Sequence, residues 1–419
     1  MQDQSAAVEG AAEADAAFGA DLYRLLTQDA TETVFSPASV ACALQMALCG
    51  ARGDTAAELA RALHLDGPGS APADAAGAAA QGLRLLTALL GEVAARGDVT
   101  FRAPNTMWVQ SGLALLPEFT ARLRDAAAVA VHDTDFAAAP EAARTEINRV
   151  IAEQTAGKIA DLLPPRSVGN LTRLVLASAV YLKAAWAQPF DEKATGDAPF
   201  YPDGPGGPGM TVRMMRGTAA RSYLSRDGYQ AVLLPYADRR LAMAVVLPDG
   251  PLDALRPVIA AGGPGGLGGP GGLGGPGGLG GLGGLLAGAS RRQVTLSMPR
   301  FRLEADFDLV PVLQRLGVHL AFTGDADFGG ITEDSRLQIG AIAHKAYVDV
   351  DEQGTEAAAA TAVMIRAAAA IRTPPRVTMT VDRPFLFAIV DTTTWLPLFL
   401  GQVSRPQGDD KPQSTARRS

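Results

Sequence analysis

The residues that most often bind metals or act as nucleophiles are scarce in this sequence and widely spaced. The histidines follow no metal-ligand spacing such as HExxH: His64, His132, His319 and His344. Cys42 and Cys49 lie seven residues apart in a segment with helical spacing, which puts their Cα atoms roughly 10 Å apart, beyond disulfide reach. We therefore expect two core thiols, no metal and no cofactor.

Motifs of nucleophilic or phosphate chemistry are also missing. The sequence has no P-loop, no CxxC pair and no GxSxG nucleophile elbow. The neighbouring carboxylates Asp325 and Asp327 stand close to three glycines and are typical of a solvated turn. A Ser-His-Asp triad could still assemble in space, because triads are recognised by geometry. No residue pattern favours a hydrolase, and we expect that the protein is not an enzyme.

The most unusual segment is DEQGTEAAAATAV, residues 351–363, which follows a strand-like run and consists largely of small residues. Alanine favours helix over strand, so one interpretation is an exposed alanine-rich helix or linker. The other is that this segment must pass between two existing strands, where bulky side chains would clash with packed neighbours. Composition alone leaves both open.

The charge balance restricts the partners. The chain has 419 residues, with 37 Lys and Arg against 44 Asp and Glu, a formal net charge of −7. Proteins that hold polyanions usually carry a basic surplus, so we expect no nucleic acid, no anionic membrane and no heparin-type activator. With 47% hydrophobic residues the chain can bury a large core. The alanine and glycine bias suggests a GC-rich bacterial genome.

Helical patterns come first along the chain and strand patterns later, which favours an α+β fold with large sheets. Residues 11–65 predict two helical stretches, interrupted by VFSPAS at 34–39, and Pro140 opens a third helix that Gly157 closes. Strands are predicted at 171–182, 229–236, 241–248, 293–301, 346–352, 385–390 and 396–403.

Two segments do not read as packed structure. The repeated GGPGGL at 262–284 cannot bury enough surface to offset its ordering entropy, and we expect a flexible insertion. Residues 405–419 are polar and predict a disordered tail. The N-terminal residues lack the basic and apolar regions of a secretory signal. We expect a cytoplasmic protein, or a secreted one if a signal has been removed.

Motifs spread over about 370 residues resemble those of the serpins. They are VFSPASV (34–40), ALQMALCGARGDTAAEL (43–59), NTMW (105–108), INRVIAEQTAGKIADLL (147–163), LVLASAVYLKAAWAQPFD (174–191), VRMM (212–215), ADFGGIT (326–332), AIAHKAYVDVDEQGTEAAAATAV (341–363), RVTMTVDRPFLFAIVD (376–391) and PLFLGQV (397–403). Each motif is loose alone, but their order and spacing together identify the chain as a member of that family.

The resemblance implies a single domain over 12–404, with three β-sheets, eight or nine helices and an exposed reactive loop at 352–376. In this family a target serine protease attacks the loop, forms a covalent acyl complex, and is trapped when the cleaved loop enters the main sheet. We therefore expect a serine protease inhibitor that acts as a suicide substrate and is a monomer. A non-inhibitory binding or chaperone-like member of the family is the alternative.

The resemblance also assigns residues. The hinge that must enter the sheet would comprise Glu352, Gly354, Thr355, Ala357, Ala358, Ala359 and Ala360. None of these is bulky or a proline, as a working inhibitor requires. The polar cluster where the sheet parts would comprise Ser36, Ser39, Ser178 and His344, with Trp186 near the top of the sheet. Ser178 replaces the family's usual asparagine, which puts one hydrogen bond of the cluster in doubt, and Ala184 replaces its usual glycine.

The cleaved bond is less closely defined. The family's usual interval of seventeen residues from Glu352 places it between Ala368 and Ala369, which suits a small apolar pocket of the elastase or subtilisin kind. The loop is a couple of residues longer than is common, so other positions stay open: Arg366, Ala370, Ile371 and Arg372. Cleavage after Arg372 would indicate a trypsin-like target with an acid in its pocket.

Overall fold

A computed structural model describes residues 2–28, 32–66, 75–96, 99–127, 131–255, 286–333, 337–356 and 376–406. Seven α-helices lie in these ranges: α1 (Gln2–Leu26), α2 (Pro37–Leu48), α3 (Gly53–Ala62), α4 (Ala75–Ala94), α5 (Pro117–Ala127), α6 (Pro140–Gln154) and α7 (Val310–Arg315). The predicted insertion at 262–284 and the tail from residue 407 lie outside them.

The strands of the described residues form two hydrogen-bonded networks. Seven belong to one: β2 (Val99–Arg102), β3 (Asn105–Gln110), β4 (Val131–Thr134), β5 (Leu174–Ala185), β11 (Phe301–Asp308), β12 (Ala341–Val350) and β13 (Gly354–Thr355). Nine belong to the other: β1 (Thr33–Phe35), β6 (Gly196–Phe200), β7 (Met210–Arg226), β8 (Tyr229–Pro235), β9 (Leu241–Pro248), β10 (Ser290–Pro299), β14 (Arg376–Thr380), β15 (Phe385–Asp391) and β16 (Pro397–Val403).

The seven-stranded sheet runs in the order β11-β12-β13-β5-β3-β4 and has a parallel pair near its middle. There Ala341–Tyr347 of β12 lies directly beside Val175–Tyr181 of β5. Above these paired residues the two strands separate, and the two-residue strand β13 lies between them, antiparallel to both. We call the whole boundary between β5 and β12 the seam. The seam is therefore closed in its lower part and already occupied at its upper end.

Layers on both faces explain why β5 is apolar at nearly every position. On one face, Ile147 and Ile151 of α6 pack with β5 residues such as Ala177 and Ala179 in one buried cluster. On the other face Leu176 and other residues of β5 belong to the main core together with α2. A strand covered on both sides loses the polar half of its alternation.

The nine-stranded network is continuous because β7, with 17 residues, pairs in succession with β6, β10 and β8. The predicted α+β class is confirmed. Counting the part with β6, β10 and β14 separately from the part with β1, β8, β9, β15 and β16 gives the three sheets that we expected. The count of eight or nine helices stays a prediction, because 30 consecutive residues at 256–285 are not described.

Candidate functional site

A chain of hydrogen bonds crosses the centre of the seam. Ser178 of β5 and His344 of β12 are opposite each other in the parallel register, and both are fully buried. The backbone N–H of Ser36 donates to His344 Nε2 at 3.0 Å, so this ring nitrogen is the acceptor. In the neutral ring the other nitrogen then carries the proton, and Nδ1–H donates to Ser178 Oγ, 3.0 Å away.

The same chain continues below the sheet to the start of α2. Ser178 Oγ–H can then donate to Ser39 Oγ at 2.9 Å, and Ser39 Oγ–H donates to Asn105 Oδ1 at 3.1 Å. Ser39 lies here because Ser36 caps α2, with Ser36 Oγ accepting from the Ser39 N–H and Pro37 in the first turn. The Ser178 and Ser39 hydroxyls thus each donate one hydrogen bond and accept one. All the side-chain hydrogen bonds from His344 to Asn105 therefore run in the same direction.

Burial decides the charge of His344. Complete burial lowers the pKa of His344 from 6.5 to about 3, although its hydrogen bond with Ser178 opposes part of that shift. At neutral pH the ring is uncharged and can bind both neighbours as described. A protonated ring would lose the acceptor that the Ser36 N–H needs.

The upper end of the seam holds β13 through close backbone packing. Gly354 lies opposite Ala185 and Thr355 opposite Ala184, both in β5. A Cβ atom at Gly354 would come within 2.1 Å of the Ala184 carbonyl oxygen, so only glycine allows this approach. The side chain of Ala184 itself is buried in the main core.

Aromatic residues form the floor of this upper site. Trp186 stacks on Tyr236 with ring centroids 4.6 Å apart, and the Tyr236 hydroxyl lies 2.6 Å from Thr355 Oγ1. The Trp186 indole N–H donates to the Asp351 carbonyl at 2.9 Å, which fixes the turn before β13. Thr355 is fully buried, so its hydroxyl is satisfied by Tyr236 within the protein.

A buried ion pair anchors the base of the loop. Glu352 is 2% exposed, and its carboxylate accepts from Arg300 Nε at 2.9 Å while Arg300 Nη2 lies 2.7 Å from its second oxygen. Thr195 Oγ1 also donates to the carboxylate. Burial alone would raise the pKa of Glu352, but the hydrogen bonds from Arg300 and Thr195 outweigh it and lower the pKa.

Glu356 is the last residue of the described stretch that contains β13. Its backbone N–H still donates to the Asp349 carbonyl at 2.8 Å, as the next ladder bond of β13 would. Its φ of +45° then ends the extended conformation. The carboxylate of Glu356 forms an ion pair with Lys158, which follows α6, so this turn is tied to the layer above the sheet.

Comparison with known proteins identifies the family. A family model described as Serpin (serine protease inhibitor) matches residues 13–406. The chain belongs to the serpin family. The described residues contain no helix long and apolar enough to cross a membrane, and no group of three or more metal-ligating side chains.

Similar serpins come from distant organisms. A serpin-like protein of Thermococcus kodakarensis is 34% identical over 393 residues, covering 93% of this chain and 84% of the relative. Leukocyte elastase inhibitor of Bos taurus is 34% identical over 397 residues, covering 94% of this chain and 98% of the relative. Since these relatives include archaeal and mammalian proteins, the composition does not establish a bacterial source.

A solved serpin structure shows the same architecture. Human thyroxine-binding globulin, complexed with thyroxine, has a TM-score of 0.77 at 26% identity, covering 96% of this chain and 100% of that chain. Membership of the family therefore fixes the fold. The similar serpins include one named as an elastase inhibitor and one whose structure holds thyroxine.

The structure brings eight of the assigned residues of this serpin into two groups along one seam. Ser36, Ser39, Ser178 and His344 meet at its centre, whereas Trp186 lies at the upper end beside the hinge residues Glu352, Gly354 and Thr355. The remaining hinge and cleavage positions lie outside the described residues: Ala357, Ala358, Ala359, Ala360, Arg366, Ala368, Ala369, Ala370, Ile371 and Arg372.

Four contributors were not singled out from the sequence. Asn105 ends the central hydrogen-bond chain, Tyr236 binds Thr355, and Arg300 and Thr195 bind Glu352. Asn105 belongs to the NTMW motif, so this motif could have pointed to it. The hydrogen bond that we doubted at Ser178 is present, because the shorter side chain reaches both Ser39 and His344.

Proposed function

We propose that this serpin is a suicide inhibitor of serine proteases whose cleaved loop enters the seam as a new strand. The observation that supports it is the position of β13, which already lies between the separated upper ends of β5 and β12 and is antiparallel to both. A strand continued from β13 would need the seam below it to part, and the residues that close this seam form the buried polar chain through His344.

The register of β13 assigns a place to every residue that would follow. Thr355 lies opposite Val350 of β12 and Ala184 of β5, so each later residue would lie one position lower on both strands. By this count Thr361 would come between His344 and Ser178, which face each other across the closed seam. Its hydroxyl would replace the direct hydrogen bond that its arrival breaks.

The loop sequence fits the two faces of the slot that would open between β5 and β12. Side chains alternate along a strand, and Thr355 points into the main core towards Tyr236. The residues sharing its face would be Ala357, Ala359, Thr361, Val363 and Ile365, all uncharged. The residues on the opposite face would be Glu356, Ala358, Ala360, Ala362, Met364 and Arg366, which include both charges. In this register Glu356 stays at the upper end, where it pairs with Lys158, and Arg366 would lie one position beyond the start of β5. A one-residue shift would turn both charges into the main core, so the pattern favours this register.

The length of β5 sets how far insertion can run. β5 begins at Leu174, which would lie opposite Ile365. Continuing the strand from Thr355 to Ile365 could add on the order of ten ladder hydrogen bonds, at about 1 kcal/mol each. A cut between Ala368 and Ala369 leaves three residues beyond the slot to join the strand to the protease.

The chemistry requires no catalytic group from the serpin. The serine hydroxyl of the protease adds to the Ala368 carbonyl carbon, the Ala368–Ala369 bond breaks, and the new amine of Ala369 leaves with the proton. An ester between Ala368 and the protease serine remains. Inhibition requires that loop insertion be faster than hydrolysis of this ester by water. An alanine at this position suits an elastase-like or subtilisin-like pocket, and the similarity to leukocyte elastase inhibitor supports the same class of target.

One experiment tests the proposal against its alternatives. The serpin is mixed separately with elastase, subtilisin and trypsin, and the products are examined for a complex that survives boiling in detergent. The released C-terminal peptide is sequenced to find the cut, and we expect it to begin at Ala369. A peptide beginning at Thr373 together with a trypsin complex would instead assign a trypsin-like target. Cleavage without any complex would favour a non-inhibitory binding or chaperone-like serpin.

A further inference from the structure

A charge asymmetry distinguishes three adjoining strands from the rest of this acidic protein. Strands β7, β10 and β14 together contain seven arginines and no carboxylate, although the whole chain carries a formal net charge of −7. The arginines are Arg213, Arg216, Arg221, Arg226, Arg291, Arg292 and Arg376. The overall charge therefore conceals a strongly basic part of the surface.

Few of these charges are neutralised by the described residues. Arg213 pairs with Asp197 of β6 at 3.2 Å, and Arg221 is buried, where its guanidinium donates to the Gly217 and Val294 carbonyls. Arg216, Arg291 and Arg376 are exposed, and none of them has a carboxylate within 4 Å among the residues that the structure describes. Unneutralised exposed charge is available to a partner.

The three exposed arginines share one face of the sheet. In the register of the strands, Gln293 of β10 lies between Ala220 of β7 and Arg376 of β14, and Ser297 lies opposite Arg216. Arg291 is two residues before Gln293 and so points to the same side, with its Cα about 8 Å from that of Arg376. Between the arginines the face carries short polar side chains such as Thr218, Thr295 and Thr378. We call this the arginine face.

The position of the arginine face links it to the loop that a protease must bind. Strand β14 begins at Arg376, directly after loop residues 357–375, so the loop returns to the body of the protein on this face. Those loop residues carry Arg366 and Arg372 and no carboxylate, and residues 257–290, which lead into β10, carry no charge at all. A protease bound to the loop therefore meets positive charge on the loop and on the surface where it ends.

We propose that the arginine face is an accessory docking surface for a target protease whose surface beside its active-site cleft is acidic. This rests on the proposed function, since it supposes that a protease binds the loop. Charges at the rim of an interface act mainly by steering the encounter, so they alter the association rate and its salt dependence. Whether a cleaved serpin traps the protease or is released as substrate depends on the seam, which lies in a different sheet. This outcome should not depend on these arginines.

The test uses subtilisin and a subtilisin variant with carboxylates added to the rim of its cleft. The inhibitors are the parent serpin, the triple variant R216A/R291A/R376A, and a matched control, R61A/R84A/R124A. The control removes three exposed arginines of α3, α4 and α5, so the change in net charge is the same. Association rates are measured at low salt and at roughly 0.3 M salt, where the Debye length falls to about 6 Å.

With the parent serpin, the acidified subtilisin should associate roughly tenfold faster than subtilisin at low salt, and the gain should largely vanish at high salt. The triple variant should lose most of that gain and the matched control should keep it, with the same stoichiometry of inhibition in all three. An equal gain for parent and triple variant, or an equal loss in the control, would overturn the proposal.

A further measurement with a polyanion distinguishes a polyanion partner from a protease partner. If a heparin-type polysaccharide accelerated inhibition of both subtilisins alike, and only when the three arginines were present, the face would be a polyanion site and the protease proposal would fail. If no covalent complex formed with either protease, the proposed function would fail instead. The rate of loop cleavage would then still report on the arginine face, because cleavage requires the same encounter.

Discussion

The upper end and the centre of the β5–β12 seam are held by different kinds of contact. At the upper end, glycine packing, an aromatic floor and an ion pair hold β13 between the strands, so the sheet is already parted there. At the centre the strands meet directly, and the closure depends on neutral hydrogen bonds through one histidine. The contrast teaches that the insertion we propose would start at the upper end and would meet a separate barrier at the centre of the seam.

The largest effect is expected from Thr355→Arg at the upper end. The Thr355 side chain is fully buried against Tyr236, and an arginine there would bury a charge between the apolar neighbours Val350 and Ala184. The variant should stay folded but insert slowly, so most molecules should be cleaved as substrate. The measurement is the ratio of cleaved serpin to detergent-stable complex, with Thr355→Ser as control. Unchanged inhibition would refute the role of β13 as the starting point.

The next effect is expected from Glu352→Gln. Loss of the charge weakens two hydrogen bonds from Arg300 in a site that is nearly closed to water, which should lower the free energy of unfolding by about 2–3 kcal/mol. Denaturant unfolding at neutral pH measures it. Because the pKa of Glu352 is lowered in the folded state, its contribution is present above its unfolded value of 4.5 and is lost as the pH falls through the folded pKa.

The variant itself provides the check on that pH dependence. Glu352→Gln cannot titrate, so the difference in stability between parent and variant should stay constant from pH 7 to about 5 and should shrink as the pH is lowered below 4.5. A difference that stays constant below pH 4.5 as well would show that the charge on Glu352 does not contribute.

Lowering the pH should act on the centre of the seam through His344. The folded ring has a pKa of about 3 and the unfolded ring one of 6.5, so its contribution is complete above pH 6.5 and is lost as the pH falls towards 3. Between pH 7.5 and pH 5 this should remove about 2 kcal/mol from the free energy of unfolding. Unfolding of the parent and of His344→Gln is measured at both values. An equal loss in both would assign the effect to other groups.

The sequence predicted the residues at the centre of the seam better than it predicted the helices around them. The four residues of the central cluster stand in short motifs, and the structure brings them together. Helix α6 was predicted from Pro140 and the spacing of Ile147 and Ile151. Helices α4 and α5 were not foreseen, and neither was the break between α2 and α3. Helix α4 consists mostly of alanine, leucine and glycine, so few polar residues mark its outer face and its helical period is weak.

Local sequence patterns could not predict contacts between distant segments. Arg300 and Glu352, Tyr236 and Thr355, and Lys158 and Glu356 meet only because strands far apart in the chain become neighbours in space. The arginine face was hidden for a related reason. Net charge sums over the whole chain, whereas β7, β10 and β14 bring together three distant segments, so that Arg216 and Arg376 share one face although they lie 160 positions apart in the sequence.

The smallest effect, and the finest test of the central chain, is expected from Ser178→Ala. The substitution removes the acceptor of His344 Nδ1–H and the neighbour of Ser39 Oγ, and should cost about 1–2 kcal/mol. Ser39→Ala leaves His344 with both partners and should therefore cost less. The double variant should cost less than the two single changes added together, because both remove the same hydrogen bond. Denaturant unfolding of the three variants measures this. If the costs were additive, Ser178 and Ser39 would not act as one chain, and the seam would be closed by backbone pairing and apolar packing alone.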